Sequence, residues 1–159
     1  MRAGEQNGSA LDANGNRTVR HPRVLAVDDE PAVIVLISRV LRKAGYDVLT
    51  AGTAEDALNL ARRSPPDLLV VDKNLPRMNG FALLREVRAL HPDVPALIIT
   101  ATPEAGLPPE KIDGYLAKPF RSLDALRVAV TEALERHQAA RERQALQRQL
   151  QQVVSQLRK

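Results

Sequence analysis

The sequence predicts a doubly wound α/β fold: a five-stranded parallel sheet with helices on both faces, a shortened fourth helix and an extended C-terminal helix. Two observations predict the sheet. Short apolar runs such as Leu68-Leu69-Val70-Val71 and Ala96-Leu97-Ile98-Ile99 read as strands buried on both faces. These runs alternate with segments whose apolar residues recur at helical spacing, which is the pattern of a parallel sheet with crossover helices. A third observation marks the end of the chain: from Ser122 to Lys159 there is neither Gly nor Pro, which predicts one long helix.

In chain order, residues 1–22 are rich in Gly, Asn, Ser and Ala without sustained periodicity and are read as a disordered leader. Arg23-Val24-Leu25-Ala26-Val27 is the first strand. Pro31 opens a helix at the position where a missing N–H costs nothing. Val33, Leu36, Ile37, Val40 and Leu41 give its apolar side, and Gly45 its stop. Residues 46–51 form the second strand. Thr53 is placed to cap a helix that buries Ala57, Leu58 and Ala61 and ends at Pro65-Pro66. The strand ending at Asp72 follows. A helix over about 80–90 presents Leu83, Leu84, Val87 and Leu90, with Met78 and Phe81 read as packing residues. Ala96-Leu97-Ile98-Ile99-Thr100 is the fourth strand. The stretch 102–109 carries three prolines and a glycine where the alternation calls for a helix, so one short turn over 109–112 is the most it can hold. Gly114-Tyr115-Leu116-Ala117 is the fifth strand. In the last helix, Leu123, Leu126, Val130, Ala133 and Leu134 form a docking side.

Composition narrows the function classes. The 159 residues suit one domain with tails, divided as a leader 1–22, a globular domain 23–137 and a helical extension 138–159. No apolar run approaches membrane-spanning length, and the N-terminus lacks an apolar signal core, so a cytoplasmic location is expected. The absence of cysteine removes disulfides and thiolate chemistry. The four aromatics argue against a base-stacking surface. Residues 23–120 carry 12 basic and 13 acidic side chains, whereas 121–159 carry 8 and 4, so the net +4 charge of the chain belongs mostly to its C-terminal segment.

In a parallel sheet every strand delivers its following loop to the same edge. With a strand order of 2-1-3-4-5, that edge collects Asp28, Asp29, Asp72, Thr100 and Lys118, with a crevice between strands one and three. Asp28 and Asp29 could instead be acidic residues at a helix N-terminus, favoured by its dipole, and Lys118 and Thr100 an ordinary surface lysine and a strand cap. That reading serves one carboxylate well and three converging ones poorly. Three carboxylates repel each other unless a hard cation joins them, and an all-oxygen donor set selects Mg²⁺ or Mn²⁺ over Zn²⁺. A lysine and a hydroxyl beside that cation suit an anion, most simply a phosphoryl group.

Val27-Asp28-Asp29-Glu30-Pro31, Asp72 through Leu75-Pro76 and Met78-Asn79-Gly80, Thr100-Ala101, and Tyr115-Leu116-Ala117-Lys118-Pro119-Phe120 together resemble the receiver domain of two-component response regulators, over roughly residues 23–137. The resemblance implies the flavodoxin-like strand order and a protein that accepts a phosphoryl group on itself without being an enzyme toward other substrates. It implies Asp72 as phosphoacceptor, taking the group from a phosphohistidine of a sensor histidine kinase or phosphotransfer protein. Asp29, Asp72 and the backbone carbonyl of Asn74 would bind Mg²⁺ directly, and Asp28 through a bound water. Lys118 would pair with Asp72 or its phosphoryl oxygens, Thr100 would hydrogen-bond the phosphoryl group, and Tyr115 would be an aromatic switch. One departure stands out: relatives place a full helix between Thr100 and Lys118, on the face commonly used for dimerisation and output, whereas this segment is shorter and Pro-rich.

Beyond the docking side, Leu146, Leu150, Val153 and Leu157 are spaced four, three and four, a short heptad seam. The seam predicts a homodimer or a helical protein partner; the competing reading is a solvated Arg/Gln-rich helix, or the stub of a linker to an output domain. No helix-turn-helix follows, which argues against sequence-specific DNA recognition. The function expected is a phosphoacceptor receiver that signals through contacts with a downstream protein. The alternatives are a phosphorylation-independent scaffold acting through its C-terminal helix, or a receiver fragment of a larger regulator. An aspartate-based phosphatase would need a second Asp two residues after the first, where Asn74 stands. A flavin carrier would need a Gly- and hydroxyl-rich loop in place of Asp28-Asp29-Glu30-Pro31.

Overall fold

The computed structural model describes residues 21–102 and 106–158, together with 10–11 and 17–18. Two two-residue strands, β1 (Ala10–Leu11) and β2 (Arg17–Thr18), pair antiparallel. The rest of the expected disordered leader, up to residue 20, lies outside the described residues. The main sheet is built from β3 (Arg23–Val27), β4 (Asp47–Ala51), β5 (Leu68–Asp72), β6 (Ala96–Thr100) and β7 (Gly114–Ala117), all parallel, in the order β4-β3-β5-β6-β7. Numbered within this sheet alone, that is the predicted 2-1-3-4-5.

Alternation along each strand sorts its side chains to two faces. Leu25, Val27, Leu69, Val71, Ala96 and Ile98 pack with α2 (Ala54–Arg63) and α3 (Gly80–Leu90), through Ala57, Ala61, Leu84 and Val87. Val24, Ala26, Leu68, Val70, Leu97 and Ile99 pack with α1 (Pro31–Lys43) and α4 (Leu123–Leu157), through Ile37, Leu41, Leu126 and Val130. The central strands β5 and β6 are buried at every residue, which is why their sequences read as unbroken apolar runs.

The helix termini follow local chemistry. Thr53 Oγ1 accepts the Asp56 amide at 3.1 Å, Asn79 Oδ1 accepts the Phe81 amide at 2.7 Å, and Ser122 Oγ accepts the Ala125 amide at 3.0 Å. Pro31 begins α1, and Gly45, at φ 97°, lets the chain turn off its end. Phe81 is buried and Met78 packs partly against the same cluster.

Three expectations change. Leu90, expected on the apolar side of α3, stands at its last residue and is 41% exposed. The turn foreseen over 109–112 does not form: among the described residues between Thr100 and Gly114 there are bends and no helical turn. That stretch is instead strapped to its surroundings by side chains. Glu110 pairs with Arg85 at 3.1 Å and lies 3.8 Å from Arg88, while Asp113 Oδ2 accepts the Ala96 amide at 3.1 Å. Leu123 does not dock. It stands in the first turn of α4, ahead of the point where Leu126, Val130 and Ala133 meet the sheet, and is 48% exposed.

Candidate functional site

Each strand that contributes to the site stops being apolar at the same edge. β3 ends at Val27, and the Asp28 amide is the last to join the sheet, donating to the Ala51 carbonyl at 3.2 Å. β5 ends in Asp72 itself, and the Lys73 amide still reaches the Ile99 carbonyl at 2.9 Å. β6 ends in Thr100, whose carbonyl accepts the Lys118 amide at 2.9 Å. Sheet register therefore brings Asp28, Asp72, Thr100 and Lys118 together from positions far apart in the chain.

The centre of the site is the Lys118 ammonium. Its Nζ lies 2.8 Å from Asp28 Oδ2, 2.8 Å from Asp72 Oδ2 and 3.1 Å from Glu30 Oε1. The remaining carboxylate oxygens are fixed by the backbone. Asp28 Oδ1 accepts the Glu30 amide at 2.9 Å, just ahead of α1, and Asp72 Oδ1 accepts the Asn74 amide at 2.9 Å. Asp28 is 1% exposed and Asp72 7%, while Asp29 is exposed at the rim. Burial holds the Asp28 carboxyl above the ordinary carboxylate value, outweighing the pull of Lys118 and the Glu30 amide. Burial alone would lower Lys118, but its contacts with Asp28, Asp72 and Glu30 override this and raise it above the ordinary lysine value.

Carboxylate oxygens of Asp28, Asp29 and Asp72 all lie within 4.8 Å of one another. Asp28 Oδ2 makes its ionic contact with Lys118 but no well-formed hydrogen bond, although it is fully buried. A buried acceptor in that state, beside two more carboxylates, fits a hard divalent cation with oxygen ligands.

The other expected residues fall into place unevenly. Asn74 lies in the loop after β5, bridged to Asn79, so its backbone is held close to Asp72. Thr100 is buried, but its hydroxyl is engaged by its own loop: it donates to the Thr102 carbonyl at 3.0 Å and accepts the Thr102 amide at 3.3 Å. Tyr115 is half-buried against the cluster on the α2 and α3 side of the sheet. Two participants escaped the sequence reading. Glu30 is the third carboxylate on Lys118, and its position directly after Asp28-Asp29 was the available signal. Gly80 closes the loop onto the site: a Cβ there would overlap the Asp72 carbonyl oxygen and come within 3.1 Å of Lys73 Cα. Only the backbone fold reveals that approach.

A sequence profile of the response regulator receiver domain matches residues 24–131. Among curated proteins, the chain is 40% identical over 102 residues to the probable transcriptional regulatory protein TcrX of Mycobacterium tuberculosis, covering 61% of this chain and 43% of TcrX. It is 35% identical over 105 residues to the alkaline phosphatase synthesis transcriptional regulatory protein PhoP of Bacillus subtilis, covering 62% of this chain and 42% of PhoP. The matches thus span less than half the length of these two regulators. Among solved structures, the chemotaxis protein CheY4 of Vibrio cholerae superposes with a TM-score of 0.65 at 30% identity, over 72% of this chain and 99% of that one. A putative response regulator from Chloroflexus aurantiacus superposes with a TM-score of 0.64 at 32% identity, over 73% and 99%.

Proposed function

The chain belongs to the response regulator receiver domain family, and from that premise we propose that it takes a phosphoryl group onto Asp72 from the phosphohistidine of a sensor histidine kinase or phosphotransfer protein. The observation that carries this reading is the buried Asp72 carboxylate at the open end of β5, with the Lys118 ammonium 2.8 Å from one of its oxygens. An Asp72 oxygen attacks the phosphorus, the P–N bond to the donor imidazole breaks, and the imidazole leaves with the electron pair. Asp72 Oδ1 is held by the Asn74 amide, so the nucleophile is oriented before the donor arrives. Lys118 faces the charge that builds on the transferring group.

Asp28, Asp29, Asp72 and the carbonyl of Asn74 are the groups that would hold Mg²⁺ or Mn²⁺. When bound, such an ion supplies electrostatic stabilisation of phosphoryl oxygens. Thr100 then trades its contact with the Thr102 carbonyl for a phosphoryl oxygen, and the loop to β7 with Tyr115 responds to that change. We assign the receiver to residues 23–137 and the helical extension to 138–159, in a cytoplasmic protein whose own chemistry ends at self-dephosphorylation. Output passes to a downstream protein.

The test is incubation with a small acyl phosphate and Mg²⁺, read by intact mass, for wild type and Asp72→Ala. Wild type gains one phosphoryl group and the variant none; equal incorporation in both would overturn the assignment. A second reading, a scaffold indifferent to phosphorylation, is favoured by the apolar side chains exposed along the end of α4. It wins if a phosphoryl mimic leaves both mass and partner affinity unchanged.

A further inference from the structure

α4 stays in contact with the sheet side through Leu134 and Arg136, which donates to the Asp113 carbonyl at 3.3 Å, and then leaves it. From residue 138 to 158 no side chain is buried, yet the helix is unbroken to Leu157. Its 35 residues make it about 52 Å long at 1.5 Å per residue. With no Gly or Pro after Ser122 it cannot fold back, so its own domain does not cover what it exposes. Leu146, Leu150, Val153 and Leu157 are between 52% and 81% exposed.

We propose that residues 139–157 form a parallel, two-stranded coiled coil with a second copy of this chain. The spacing assigns Leu150 and Leu157 to heptad position a, and Leu146 and Val153 to position d. The same frame places Ala139 at d and Arg143 at a. The other charges sort away from the seam: Arg141 and Arg148 fall at f, the outermost position, and Arg158 at b. The flanking e and g positions are neutral except for Glu142 at g. In a parallel, in-register pair this lone carboxylate sits beside Arg143 of the other copy, so the only charge in the seam meets its complement. A partner chosen by charge would instead face ionised flanks, and here they are glutamine, alanine and valine. The sequence is complementary to itself.

Two rules conflict over the number of strands. Leucine at a with a β-branched residue at d leans toward four strands, whereas a polar a residue selects register and lower order. Four Arg143 guanidiniums in one core layer would bury charge, while two can reach the edge of a dimer and Glu142. Burying unpaired charge is the larger effect, so two strands win. The proposal does not depend on the state of Asp72.

The chain has no cysteine, so single cysteines report geometry without background. The full chain carrying Val153→Cys, oxidised, forms a disulfide-linked dimer, because d meets d only in a parallel pair; Arg148→Cys, on the outer face, does not. Sedimentation equilibrium on the unsubstituted chain gives twice the chain mass. Leu150→Glu returns it to the chain mass, with helix content and thermal midpoint of the globular part retained. A monomer mass, a fourfold mass, a dimer in which Val153→Cys forms no disulfide, equal cross-linking at both positions, or a Leu150→Glu dimer would each overturn the proposal.

Discussion

At the residue scale, the site depends on one cation held among carboxylates. Replacing Lys118 with Met leaves Asp28 and Asp72 facing each other in a buried setting without their shared ammonium. In the absence of a divalent cation the variant should lose about 1–3 kcal/mol, the cost of stranding buried polar groups. Part of that loss should return on adding Mg²⁺; denaturant titration with and without the ion checks both halves. Gly80 makes a different demand. Its Cα lies so close to the Asp72 backbone that Gly80→Ala must displace either α3 or the end of β5. We expect about 1–3 kcal/mol of destabilisation from the overlap, together with slower phosphoryl transfer, since the atoms that move carry the acceptor. Normal transfer rates in a destabilised variant would show that the close approach serves packing alone.

At the element scale, α4 serves two roles along one helix. Its first third buries Leu126, Val130 and Ala133 against the sheet, and Tyr46 donates to or accepts from Thr131 at 2.7 Å, tying the turn after α1 to the helix. Its last third buries no side chain among the described residues. Deleting 139–159 should therefore shift the thermal midpoint of the globular part by no more than a few degrees, since none of the described side chains it removes is buried. A collapse of the transition would mean that the extension supports the fold. The passage from β6 to β7 is the other departure: ion pairs from Glu110 to α3 occupy the role a packed helix would have. Their partners are partly exposed, so Glu110→Gln should cost less than about 1 kcal/mol. It should nonetheless speed amide exchange in residues 106–113, read by hydrogen–deuterium exchange.

At the scale of the whole molecule, pH and cation binding act on the same cluster. The folded state holds Asp28 above its ordinary 3.8, so the contribution of this group is fully present below that value and is lost as pH rises through the raised one. At neutral pH the charged form is a net cost. Asp28→Asn should therefore raise cation-free stability at pH 7 and remove the stabilisation that wild type gains from this group as pH falls through the raised value, so the acid limb of the stability curve steepens; an unchanged limb would contradict this. The price of that gain is cation affinity. Mg²⁺ at a hundredfold excess over its dissociation constant should stabilise wild type by about 2.7 kcal/mol, and Asp28→Asn by much less at the same concentration. His137 gives an independent limb. Burial, with Arg141 nearby, holds its pKa below 6.5, so its contribution is present above that value and is lost as pH falls through the lowered one. His137→Gln should remove that loss.

The sequence by itself determined the strands, their alternation with helices, and the residues delivered to one edge. Buried parallel strands must be apolar on both faces, so Leu68–Val71 and Ala96–Ile99 are legible without a structure, and so is a charge such as Asp72 that interrupts them. Caps such as Thr53 and stops such as Gly45 are local and equally legible. Tertiary structure alone decided which groups share an atom. Glu30 joins Lys118 across 88 residues, Thr100 commits its hydroxyl to Thr102, and Gly80 backs onto Asp72. It also decided that Leu123 is left outside and that side-chain pairing straps 106–113 in place. The physical reason is range. Burial periodicity and capping depend on neighbours within a turn or a strand, whereas contacts between loops depend on how five strand ends are registered in three dimensions.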